Sequence, residues 1–307
     1  MVPGGAGVAA MRALVTGGAG FVGRHFVRRL KADGWQVDAF DVETPDQRLV
    51  WRQDARDFFA RDVRRYDLVV HCAAVVGGRA KIDGDPLAIA VNLAIDSDMF
   101  RWALRTRPGR VVYFSSSAVY PTYLQNAARR RALSERDCDP AAERLVGVPD
   151  QVYGWAKLTG ERLACLAVAE GLRVHTFRPF SGYGEDQSLD YPFPSFAERA
   201  RRRADPFEVW GDGEQVRDWI HIDDVVGAVM AAIELDIPGP VNLGSGQPTT
   251  FNELAAMFCR EAGYRPELKH LPAAPAGVQY RVCDPSLMLS FYEPKVSLRE
   301  GIRRALG

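Results

Sequence analysis

Tyr153 and Lys157, in the run Tyr153-Gly154-Trp155-Ala156-Lys157, stand four residues apart in a segment of helical periodicity, so both side chains project from one face. A phenol is a poor base, with an ordinary pKa of about 10. An ammonium roughly 4 Å away, at an effective dielectric near 20, favours the phenolate by about 4 kcal/mol. That corresponds to roughly three pH units, enough for a tyrosine to take a proton near neutrality. Upstream, Ser115-Ser116-Ser117 follows an apolar run, and a hydroxyl such as that of Ser116 can hydrogen-bond a substrate oxygen and share its proton with Tyr153. The chemistry on offer is removal of a hydroxyl proton. A Tyr-x-x-x-Lys pair alone is common on helix surfaces, and it gains meaning only beside a partner that takes hydride.

A second motif supplies that partner. Ala13-Leu14-Val15 is a short apolar run, glycines follow at 17, 18, 20 and 23, and Phe21, Val22, Phe26, Val27 and Leu30 then recur at helical spacing. Strand, glycine turn and helix in this order bring backbone N–H groups and a helix N-terminus against a pyrophosphate. Asp41 closes the next apolar run, twenty-four positions after Gly17. A carboxylate there would hold the adenosine ribose hydroxyls and repel a 2′-phosphate, which selects NAD over NADP.

These motifs need elements to hold them. Buried strands are expected at 68–71, ending in the small residues Cys72, Ala73 and Ala74, at 111–114 and at 174–178. Small residues after a strand let the backbone pass close to a ligand at the sheet's carboxyl edge. Helices are expected from Pro86 to Leu104, from 151 to 170, from Asp223 (as N-cap) to Leu235, and after Ser297. The alternation implies an α/β fold: a doubly wound, parallel Rossmann sheet with a smaller C-terminal substrate-binding lobe. Residues 12–178 plus 219–243 are assigned to the NAD-binding domain, and 179–218 plus 244–307 to the lobe, where prolines and glycines break the chain into short pieces. The segment 121–150 reads as a lid-like excursion or as plain surface.

The chain has 307 residues, 47% hydrophobic and 25% charged, with formal net charge zero: a globular composition without a nucleic-acid footprint. Five cysteines (72, 138, 165, 259, 283) show no metal-ligand spacing and read as reduced thiols of a cytoplasmic protein, with no metal site. No apolar run reaches membrane-spanning length, and residues 1–11 read as a disordered lead-in rather than a signal peptide.

Taken in order, these pieces resemble an extended short-chain dehydrogenase/reductase of the NAD-dependent epimerase/dehydratase family, over residues 12–307. The resemblance rests on 16–23, Asp41, 71–74, Asn92, 115–117 with Val119-Tyr120, Tyr153/Lys157, 178–180, 210–218, 221–224 and 242–246. It implies bound NAD, a nucleotide-sugar substrate and a homodimer. The implied cofactor contacts are Gly17, Gly20, Phe21, Val22, Gly23, Asp41, Asp54, Ala55, Cys72, Ala73, Ala74, Asn92, Ser115, Tyr153, Lys157 and Pro179. The implied substrate contacts are Gly77, Ser116, Ser117, Tyr153, Ser181, Val209, Trp210 and Gln215, with Arg217 and Arg281 on the diphosphate. A guanidinium suits that role through forked hydrogen bonds; the plainer reading pairs Arg217 with Asp218.

Within the family, dehydratases and decarboxylases place an acid just before the Val-Tyr pair, and this chain has Ala118 there. GDP-mannose 3,5-epimerases share the Gly77-Gly78 loop, Tyr120-Pro121 and the stretch 207–213 with this chain unusually well, but they carry a cysteine at that place and a lysine further on, and neither has a counterpart here; Cys138 could substitute only if its loop folded over the sugar. The expectation is therefore an NAD-dependent nucleotide-sugar epimerase acting at C4 through a transient keto sugar. The alternatives are a keto-sugar-nucleotide reductase and a 3,5-epimerase-like enzyme. A silent NAD-binding protein is disfavoured by the intact Tyr153/Lys157/Ser116 set.

Overall fold

Hydrophobic alternation explains the centre of the molecule. In the computed structural model, which describes residues 10–43, 50–77, 87–141, 147–275 and 277–307, Ala13 and Val15 of β1 (Arg12–Thr16) enter one apolar cluster while Leu14 enters another. β4 (Leu68–His71) and β5 (Arg110–Phe114) do the same, so the sheet is buried on both faces. Together with β2 (Gln36–Asp41), β3 (Trp51–Arg52), β6 (Val174–Pro179) and β10 (Val241–Leu243) they form a seven-stranded sheet, order β10-β6-β5-β4-β1-β2-β3. Every pairing in it is parallel.

Helix α1 (Phe21–Ala32) packs on one face with α6 (Ile222–Glu234). On the other lie α2 (Ala55–Arg61), α3 (Ala88–Thr106) and α4 (Gln151–Ala169). The chain leaves β1 toward β2 on one side and later reaches β4 on the other, so strand order reverses between β1 and β4. In such sheets the ligand crevice lies at that point, beyond the carboxyl ends of the strands.

A third cluster sits in a lobe built from α5 (Pro192–Arg201), α7 (Phe251–Glu261), α8 (Leu298–Leu306) and the two-stranded pair of β8 (Phe207–Trp210) with β12 (Leu268–Leu271). Between lobe and main sheet runs β9 (Val216–His221), paired with β7 (Ser181–Tyr183), β11 (Pro248–Thr250) and β13 (Tyr280–Arg281). The assigned boundary between 218 and 219 falls inside β9. The expected features at residues 1–9, Leu49, Gly78 and Pro86, and part of the 121–150 excursion, lie outside the described residues. No helix among the described residues is long and apolar enough to cross a membrane.

Candidate active site

A cavity of about 1430 Å³ opens at the reversal point and extends to the lobe. Its inner wall is the glycine turn. Gly17 sits at φ +67°, and a Cβ there would lie 2.7 Å from both Ala73 N and Cys72 C, so only glycine lets β1 and β4 close together. A Cβ at Gly23 would overlap the Gly17 carbonyl, which is why α1 can start so close to the strand end. The α1 N-cap, Gly20, offers no side chain, and the first turn holds no acid. Such a helix start keeps its positive end for an anion. Asp41, at the end of β2, accepts from Ala19 N at 3.1 Å and Gly20 N at 3.2 Å through one oxygen, and from Val42 N at 2.7 Å through the other. It lines the cavity beside Asp54 and Ala55. Asp54 caps α2 and bonds Arg56 Nη2 at 2.6 Å, and this arginine is the main cause holding its carboxyl below the usual range. Glycine turn, bare helix start and terminal carboxylate together fit a dinucleotide.

The floor carries the residues expected to handle a proton. α4 begins against the serine loop: Asp150 N donates to Ala118 O at 2.8 Å, and a Cβ at Gly154 would overlap that same carbonyl. Tyr153, Lys157, Ser115, Ser116 and Ser117 all line the cavity. Ser116 Oγ accepts from Ala118 N at 3.1 Å, capping a short 3-10 turn and leaving its O–H to donate toward a ligand. Lys157 is buried, with Nζ 5.1 Å from the centre of the Tyr113 ring. Ser115 points away, into Glu161 Oε1 at 2.5 Å. Position 118 presents a buried methyl group.

The lobe side carries the substrate candidates. Arg217 and Trp219 alternate along β9 and share one face, Gln215 just precedes the strand, and all three line the cavity with Gly77, Pro179, Ser181 and Trp210. Arg217 lies over the Phe251 ring, 5.6 Å from its centre. The Asp218 carboxylate is turned to the backbone of Ser245, Gly246 and Cys283, at 2.7–3.1 Å. Arg281 Nη2 meets Asp150 Oδ2 at 2.6 Å and its Nε meets Gln125 Oε1 at 2.5 Å, so this arginine ties the lobe to the start of α4.

Three expectations are corrected by side-chain direction. Val209 is fully buried in the lobe core, because β8 alternates Phe207 and Val209 inward with Glu208 and Trp210 outward. Asn92 does not line the cavity; its amide bonds both backbone groups of Val75, at 2.6 and 3.0 Å, and so shapes the loop that does. Asp223 is not the N-cap of α6: His221 is, accepting from Asp223 N at 3.2 Å.

Cys138 is buried among Val119, Tyr120 and Leu133, donates to Val119 O at 3.5 Å, and burial pushes its thiol up to about 11. It does not line the cavity. The described part of the 121–150 excursion is fastened down, with Leu133 bonded to Val282 and Asp284, and Arg178 to the carbonyls of Glu135 and Cys138. Among the further lining residues that the sequence did not single out are Asp150, Tyr191, Arg199 and Trp219. Asp150 was legible from its place at the helix start, whereas Trp219 lies on a face of β9, a strand that the sequence did not announce. Tyr191 and Arg199 carried no signal. Burial, then Tyr153, pushes the Tyr191 phenol up to about 12.

Comparison with known proteins agrees with this geometry. The model of the NAD dependent epimerase/dehydratase family matches residues 13–244. The chain is similar to GDP-mannose 3,5-epimerase of Arabidopsis thaliana, 30% identical over 308 residues, covering 94% of this chain and 79% of that one. It is also similar to dTDP-4-dehydro-6-deoxy-D-allose reductase of Streptomyces bikiniensis, 32% identical over 94% of this chain and 93% of that one. Among solved structures, UDP-glucose 4-epimerase of Thermus thermophilus in complex with NAD superposes with a TM-score of 0.81 at 26% identity, covering 96% and 98% of the two chains.

Proposed function

Because the chain belongs to the NAD dependent epimerase/dehydratase family, we propose that it is a nucleotide-sugar 4-epimerase. The observation that carries this reading is the set of cavity-lining groups: Tyr153, Lys157 and Ser116 line one cavity, and position 118 offers only a methyl group. NAD, when bound, supplies the acceptor and donor of hydride at a sugar carbon. Tyr153 takes the hydroxyl proton at C4 and later returns it, and Ser116 holds the same oxygen. Lys157 holds positive charge beside the phenol. Gln215, Arg217, Trp219 and Arg281 bind the nucleotide diphosphate and keep the sugar in place while its ring turns over. Elimination of water or abstraction of a C3 or C5 proton would need another acid–base group, and the apolar side chain of Ala118 and the burial of Cys138 speak against one there.

A reductase of keto-sugar nucleotides is the second reading, favoured by the 32% identical Streptomyces bikiniensis relative. We further infer a homodimer formed through the outer face of α4, where Trp155 and Leu166, about three turns apart, are exposed. The free cysteines fit a reducing, cytoplasmic compartment. The test is a screen of UDP-, GDP-, CDP- and dTDP-sugars followed by NMR. A new anomeric signal of an epimer without added NADH is expected; a 4-keto-6-deoxy product would refute the proposal.

A further inference from the structure

Beneath the cavity floor lie more buried polar groups than this chemistry uses. Asp96, on α3, is 1% exposed. Its Oδ2 accepts from the Tyr113 hydroxyl at 2.6 Å, and its Oδ1 lies 3.2 Å from His71 Nε2. The other ring nitrogen of His71 meets Thr16 Oγ1 at 2.9 Å, and Thr16 Oγ1 also accepts from Ala73 N at 3.1 Å. A carboxylate only accepts, so Nε2–H donates to Asp96, and in the neutral ring Nδ1 accepts from the threonine hydroxyl. This network joins the ends of β1, β4 and β5.

Lys157 approaches it from α4. Its Nζ sits over the Tyr113 ring, and one turn on, Gly160 is where the helix touches the network: a Cβ there would overlap Tyr113 Oη and come 2.8 Å from Asp96 Oδ2. Among the described residues no carboxylate forms a direct ion pair with Lys157. Glu161, the nearest acid on its own helix, is taken up by Arg178, at 2.8 and 2.6 Å, and by Ser115. Asp96 has no arginine or lysine bonded to it among those residues. A buried ammonium without a counter-charge is costly.

We propose that Asp96 is the counter-ion of Lys157, a positioning residue that keeps the ammonium charged and thereby sets the pH range in which Tyr153 can work. The inference rests on the Tyr153/Lys157 reading given above. Burial by itself would push the Asp96 carboxyl up, yet the charge of Lys157 and then the bonds from His71 and Tyr113 hold it below the ordinary range. The other groups around them are Cys72 from the end of β4, near Lys157, whose thiol burial pushes up to about 12, and Tyr153 and Glu161 from α4, near Tyr113. Removing the carboxylate charge makes Lys157 easier to deprotonate, which moves the alkaline limit of the working range to lower pH.

The test uses Asp96→Asn, which is isosteric, and Tyr113→Phe, which deletes the bond to Asp96 but keeps its charge. With only five lysines in the chain, the labelled lysine ε-carbon of Lys157 can be followed by NMR in the NAD complex. Asp96→Asn should move its titration, and the alkaline limb of turnover, to lower pH by about one unit or more. Tyr113→Phe should move either by no more than a few tenths. Coincident lysine titrations in wild type and Asp96→Asn would overturn the proposal, as would an equal displacement in Tyr113→Phe. Asp96→Ser removes the same charge should Asn not be accepted. If no nucleotide sugar turns over, the functional reading fails while the lysine titration still decides this one.

Discussion

In the proposed reading Tyr153, which lines the cavity, carries the proton. Tyr153→Phe keeps the ring in the cavity and removes only the group that accepts the proton. Turnover should fall by about 10²–10⁴-fold, the usual contribution of a positioned acid–base group, while NAD binds as in the parent enzyme. Initial rates and a calorimetric NAD titration check both halves; a rate within tenfold of the parent would remove Tyr153 from its role. Residues of this sort were legible from sequence because chemistry dictates their type and spacing. Val209 and Asn92 were misplaced because a motif fixes position but not direction. Val209 turns inward by strand alternation, and the Asn92 amide is consumed by Val75.

At the scale of elements, contact depends on where side chains are missing. Gly154 and Gly160 let α4 lie on the Ala118 carbonyl and on the Tyr113–Asp96 pair. Gly160→Ala should therefore destabilise the protein by about 1–3 kcal/mol through overpacking, despite the better helix propensity of alanine. Denaturant unfolding would show it, and unchanged or increased stability would mean that α4 rides higher than described. Long periodic helices and apolar strands were readable: α4 spans Gln151–Ala169 against an expected 151–170. The small sheet of β7, β9, β11 and β13 was not, because its strands are two to six residues long and pair with distant partners. The buried pair of Arg178 with Glu161 was equally hidden, since nothing local marks a charge as buried.

On the scale of the whole molecule, the parallel order and its reversal between β1 and β4 put the glycine turn, the small residues after β4 and the serine loop after β5 at one edge. The lobe then faces that edge with β9, so cofactor candidates and substrate candidates share one cavity. Sequence order alone implied the Rossmann half of this arrangement, through right-handed crossovers. How 179–218 and 244–307 interleave emerged only from the folded chain. The most direct measurement of the central claim is turnover of the active nucleotide sugar in heavy water, without added NADH, followed by NMR. If Tyr153 exchanges only a hydroxyl proton at C4, the epimer should form with no deuterium on carbon. Deuterium at C3 or C5 would contradict the account, because the cavity would then hold a carbon acid–base group that Ala118 and the buried Cys138 do not provide.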